Sequence, residues 1–115
     1  MVDSRHAFFE ISRLYDIFSS IGDQGASFTK IMVSIDGAGS SKQRLVRKRV
    51  DGYCEAGFLQ KSVPRYQATE WYLLSETGKK ARDSAGEIIC MEPSEEMEER
   101  IRNFVERYHL VLAKK

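Results

Sequence analysis

Five cations within eight positions, Lys42, Arg44, Arg47, Lys48 and Arg49, are the densest chemical signal in this 115-residue chain. Side chains of that charge and spacing attract phosphate oxygens. Gln43, set among them, adds an amide that can both donate to and accept from a base edge. The chemistry on offer is recognition of a polyanion, with arginine suited to guanine, Gln43 to adenine and lysine to phosphate. Catalysis is harder to assemble. His6 and His109 lie near opposite ends of the chain, and no nucleophile, base and orienting group fall together. Cys54 and Cys90 have no paired CxxC spacing, so reduced, packed thiols are expected, with no structural metal and no cofactor. The glycines at Gly37 and Gly39 precede Lys42, but the spacing does not meet the phosphate-loop pattern, which needs four residues before a Gly-Lys-Ser/Thr end.

The charge is local. Residues 1–39 carry 3 cations and 5 anions, residues 40–82 carry 10 and 4, and residues 83–115 carry 5 and 8, for a formal net charge of only +1. A positive middle third attracts polyanions even in a nearly neutral protein, because salt limits the reach of each charge to roughly 8–10 Å. No apolar run approaches the ~20 residues that span a bilayer, and the N-terminus has no secretion signal, so a cytoplasmic protein without a membrane partner is expected.

The cations must be positioned by the elements around them. Over residues 40–59, Val46, Val50, Tyr53 and Gly57 line one side of a helix. Ser40 or Ser41 caps its start and Gly57 closes it, so the basic residues occupy the exposed face of a core-docked helix. Before it, Phe8, Ile11, Leu14, Tyr15, Phe18 and Ile21 form a first helical stripe that ends at Gly22 and Gly25. Phe28, Ile31, Met32 and Ile35 form a short second helix capped by Ser27 or Thr29. Residues 36–39 then turn the chain into the basic helix, residues 41–56. In a DNA-reading helix-turn-helix, this second helix enters the major groove and its first residues reach the bases. After Gly57, two strands within residues 58–74 make a hairpin whose loop carries Arg65, Tyr66 and Gln67, with Lys61 just before it, in reach of a sugar-phosphate backbone. The candidate DNA contacts are Ser40, Ser41, Lys42, Gln43, Arg44, Arg47, Lys48, Lys61, Arg65, Tyr66 and Gln67.

Ser75 caps a fourth helix, and Pro93 with Ser94 restarts the chain into a fifth. In the fifth helix Met97, Ile101, Phe104, Tyr108 and Val111 repeat at four, three, four and three, the seam of a short coiled coil and the candidate dimerisation surface, pairing with its symmetry mate or with the first helix of a partner subunit; docking on the chain's own first helix is the alternative. The expected class is mainly α with a small β-hairpin (α+β), in the order helix, helix, helix, strand, strand, helix, helix. Residues 1–82 form the first domain and residues 83–115 a C-terminal dimerisation arm.

The helix ending in EAGFLQK and the segment YLLSETGKKAR resemble the winged helix-turn-helix domains of MarR-, PadR- and ArsR-like transcription regulators. In those domains an aromatic, a leucine, Ser/Thr and, three residues on, Gly-Lys/Arg close the second wing strand. Tyr72, Leu73, Leu74, Ser75, Gly78 and Lys79 match that segment, with one extra leucine. The resemblance covers residues 5–82. It implies a homodimeric, sequence-specific regulator of double-stranded DNA, not an enzyme, with helix 41–56 in the major groove and hairpin 58–74 as the wing. It also implies an unidentified small-molecule effector held between the DNA-binding part and the dimer helices. A winged helix used as a protein-interaction scaffold in a replication or transcription assembly is the alternative, and a dimer with no preference among duplexes would favour it.

Overall fold

The computed structural model describes residues 4–35, 40–62 and 70–109, and the side chains of Ser4 and of residues 40–42 lie outside that description. The order is α1 (Ser4–Ile21), β1 (Ala26–Ser27), α2 (Phe28–Ser34), α3 (Ser40–Glu55), β2 (Leu59–Ser62), β3 (Trp71–Leu74), α4 (Glu76–Ile89) and α5 (Glu95–Tyr108). The protein is mainly helical with one small antiparallel sheet, the α+β class expected from its pattern. No described helix is long and apolar enough to cross a membrane. The described residues cluster into two units, residues 16–79 and the segments up to Tyr15 and from Lys80 onward.

In the 16–79 unit the sheet order is β1-β3-β2, with all neighbours antiparallel. Lys61 lies opposite Tyr72 and Ser62 opposite Trp71. On the other side of β3, Ala26 pairs with Tyr72 and Ser27 with Trp71. The two-residue strand β1 was not expected from the sequence. It is too short to show alternation, and its pairing partner is more than forty positions away. Gly25 leads into it with φ +88, and a Cβ there would fall on the Trp71 ring and 2.8 Å from the Tyr72 carbonyl oxygen. Only glycine meets both demands. The next residue pair sets the helix that follows, because the Ser27 hydroxyl accepts from Lys30 N–H at 3.2 Å and caps α2.

The core of this unit is aromatic. Phe18 packs on Tyr53 with ring centroids 5.1 Å apart and on Phe58 at 5.8 Å, and Tyr53 meets Phe58 at 6.3 Å. Ile31, Val50 and Tyr72 of the same unit are fully buried. The segment that resembles the family motif has a structural task here. Ser75 Oγ lies 2.6 Å from the Gly57 carbonyl oxygen and 3.0 Å from that of Phe58, and it accepts from Gly78 N–H at 3.1 Å. It caps α4 and ties that helix to the chain leaving α3. Gly78 is required at this joint, since a Cβ would fall on the Phe58 carbonyl.

In the other unit Ala7, Ile11 and Leu14 of α1, Ala81, Ala85 and Ile88 of α4, and Ile101, Phe104 and Tyr108 of α5 are buried. Arg100 of α5 reaches Glu87 of α4 at 3.3 Å. Ser94 caps α5 by accepting from Met97 N–H at 3.2 Å, Glu95, Glu96 and Glu98 sit in its first turn, and Arg107 sits in its last. Both charge placements favour the helix dipole. The stripe that the heptad spacing left open to a partner subunit or to the chain's own helices is largely buried within the single chain. Ile101, Phe104 and Tyr108 are buried by their own chain, Met97 is half-buried, and Val111 lies outside the described residues. Spacing of four and three marks an apolar face, but the same face serves a partner helix or the chain's own core.

Gly25→Ala is expected to cost roughly 2 to 4 kcal/mol in chemical denaturation, through left-handed strain plus the clash with β3. Gly52 of α3 has helical backbone and nothing near its missing Cβ. Gly52→Ala is therefore expected to stabilise by about 0.5 to 1 kcal/mol in the same measurement.

Candidate nucleic-acid interface

Helix α3 is oriented by its apolar stripe, since Val46, Val50 and Tyr53 are buried. At about 100° per residue, Arg44 and Lys48, two positions either side of Val46, point roughly opposite the core. Both are exposed, as is Gln43. Among the described residues neither Arg44 nor Lys48 forms an ion pair. Leu45, beside them, is 48% exposed. Ser40 and Ser41 lie in the first turn of α3 with Lys42, and their side chains fall outside the description. Arg65, Tyr66 and Gln67 lie outside the described residues.

Arg47 and Lys61 are placed otherwise than their charge alone suggested. Arg47 leaves the flank of α3 and lies over the Phe28 ring of α2, its guanidinium carbon 4.0 Å from the centroid. Its Nη1 donates to Glu70 Oε2 at 2.9 Å. Lys61 Nζ of β2 reaches the other oxygen of Glu70, Oε1, at 3.2 Å. The Tyr72 hydroxyl donates to Glu70 Oε2 at 3.1 Å. One carboxylate at the base of the hairpin thus joins α2, α3, β2 and β3, and the site brings together two predicted contacts by binding both to an acid.

Glu70 was not singled out from the sequence, although a signal existed. It is the only acid in hairpin residues 58–74. It stands two positions before Tyr72, and in extended chain residues two apart share a face. The Lys61–Tyr72 register then brings the lysine to the same place. Which cations answer the acid follows only from the packing of α3 on the sheet.

The electrostatics follow these contacts. The hydrogen bond from Arg47, then that from Lys61, holds the Glu70 carboxyl down to about 2. The same bond raises Arg47. Tyr72 is pushed up to about 12, chiefly by burial and then by its bond to Glu70, so it stays a neutral donor. Cys54 is half-buried, and burial followed by the nearby Asp51 raises its thiol, which opposes thiolate chemistry. Cys90 is exposed.

A cleft of about 900 Å³ opens between the end of α1 and α2, lined among others by Asp16, Asp23, Lys30, Ser19, Ser20 and Ser34. Its walls are about equally polar and apolar, unlike the predominantly apolar pockets that enclose drug-sized ligands. Among the described residues no three His, Cys, Asp or Glu side chains are grouped to hold a metal ion.

Because the Glu70 carboxyl is depressed in the folded state, its stabilisation is present above the unfolded value of about 4.3 and is lost as pH falls toward 2. Thermal unfolding followed from pH 5 to 2 is expected to fall less steeply for Glu70→Gln than for the parent protein. With a thiol probe at pH 8, one fast phase is expected, removed by Cys90→Ser, with Cys54 slower. Equal rates would contradict the burial of Cys54. No protein-family model, curated protein or solved structure matches this chain.

Proposed function

We propose that the chain is a winged helix-turn-helix protein that binds double-stranded DNA sequence-specifically as a homodimer and regulates transcription. The observation that carries the reading is the outward face of α3. Arg44 and Lys48 stand exposed near the start of the second helix of a helix pair, turned away from the buried Val46, Val50 and Tyr53, and Gln43 is exposed in the first turn of the same helix. The sheet order β1-β3-β2 supports it as well, with β2 and β3 forming a hairpin directly after that helix. In this reading α3 lies in the major groove, which admits a helix, and the hairpin lies along the flanking backbone as a wing. A two-fold dimer then presents two copies of α3 to half-sites about one helical turn apart. Since the α5 stripe is covered by its own chain, the dimer contact involves another surface or a rearranged α5.

Leu45 and Val33, which is 77% exposed on α2, favour a second reading, a protein-interaction module, because they place apolar groups on the same helix pair.

Selection from a random duplex pool, run beside a solution mass measurement, separates the two. The DNA-binding reading expects enriched paired half-sites and a mass twice that of the chain. No enrichment over random competitor would sink it and favour the interaction module. Arg44→Ala and Lys48→Ala are each expected to weaken duplex binding and to reduce the log–log salt slope by about one, measured by anisotropy at several salt concentrations.

A further inference from the structure

The geometry around Glu70 bears on how such an interface would discriminate. Binding to phosphates grows with the number of cations free to meet them, and those contacts carry no sequence information. Arg47 and Lys61 are cations at the edge of the proposed interface, yet both are already turned onto one carboxylate, at 2.9 Å and 3.2 Å. Arg47 is further restrained by the Phe28 ring, and Glu70 by the buried Tyr72. The cluster is not sealed from water, since the Arg47, Lys61 and Glu70 side chains are 41%, 42% and 29% exposed. Solvent screens such pairs, and a phosphate could compete for either cation if the acid were absent.

We propose that Glu70 is a specificity-determining positioning residue: it withholds Arg47 and Lys61 from indiscriminate phosphate contact and fixes the hairpin against α3, leaving Gln43, Arg44 and Lys48 to engage DNA. The specificity role rests on the DNA-binding reading above. Engaging two flank cations with one carboxylate offsets one unit of their charge and lowers the sequence-blind affinity of the whole surface, while the outward residues of α3 keep their contacts to the chosen site. Holding Arg47 across Phe28 and Glu70 also sets the distance between the reading helix and the hairpin, so both meet the duplex in one register.

The test compares Glu70→Gln with Glu76→Gln. Glutamine keeps the shape of Glu70 and an acceptor for Tyr72 but drops the charge. Glu76 is 87% exposed in the first turn of α4 and only 4.0 Å from Lys79, so its replacement removes the same charge outside the Arg47–Lys61–Glu70 cluster. Three probes are used: a duplex enriched from the random pool, a scrambled duplex of the same length and a heparin column, with thermal unfolding to confirm that each variant is folded. Glu70→Gln is expected to bind the scrambled duplex more tightly, with a log–log salt slope steeper by about one to two as the freed cations meet phosphates. Its preference for the enriched duplex is expected to fall roughly three- to tenfold, and its heparin elution to move to higher salt than that of Glu76→Gln. Equal behaviour of the two variants on all three probes overturns the proposal. Should Glu70→Gln not fold, Glu70→Asp keeps the charge on a stem one methylene shorter. It is expected to lower the duplex preference without changing net charge, and parent-like preference overturns the positioning role. Failure of the DNA-binding reading has its own signature. The parent protein prefers no duplex, which overturns the specificity role, while heparin still separates Glu70→Gln from Glu76→Gln, which upholds the withholding of the two cations.

Discussion

The packing of Val46, Val50 and Tyr53 against the aromatic core is the constraint on which the proposed interface depends. Burying a side chain of that size contributes about 1.5 to 3 kcal/mol, whereas an exposed ion pair contributes about 0 to 1 kcal/mol. The apolar stripe therefore decides how α3 is rotated about its axis, and the cations take whatever face remains. Phe18 and Phe58 complete the seat for Tyr53, one from α1 and the other from the chain just after α3. The outward display of Arg44 and Lys48 is a consequence of core packing.

A second joint carries this orientation into the sheet. Gly57 closes α3 with φ +86, Phe58 turns into the core, and Ser75 hydrogen-bonds back to both carbonyls while capping α4. The residues that most resemble a family signature are those that weld the end of α3 to the end of β3. Local capping chemistry and a close helix-to-carbonyl approach at Gly78 account for their types and their order.

Counting charges overstates the interface. The middle of the chain carries 10 cations against 4 anions, but the anion at Glu70 is shared by two of those cations at the flank of α3. What matters to a polyanion is which charges lack an internal partner and face outward, and along α3 that narrows the described cations to Arg44 and Lys48, with Gln43 exposed in the first turn. The hairpin contributes an acid where sequence composition suggested only a basic arm.

Most elements were legible in the sequence because their signals are local. Helical spacing over α1, α2, α3 and α5, the hydroxyl caps at Ser27, Ser75 and Ser94, and the glycine stop at Gly57 each involve residues within a few positions of one another. Mainly helical architecture with a hairpin followed from these alone. Three features needed the folded chain. Strand β1 exists only because Ala26 and Ser27 find Tyr72 and Trp71. The Glu70 cluster needs α2, α3 and the hairpin in place at once. The apolar stripe of α5 was readable as a stripe, but whether its own chain or a second one covers it is not a property of spacing. Periodicity reports which face of an element is apolar. Only tertiary packing decides what that face meets, because partners distant in sequence are brought together by the burial of many side chains acting in concert.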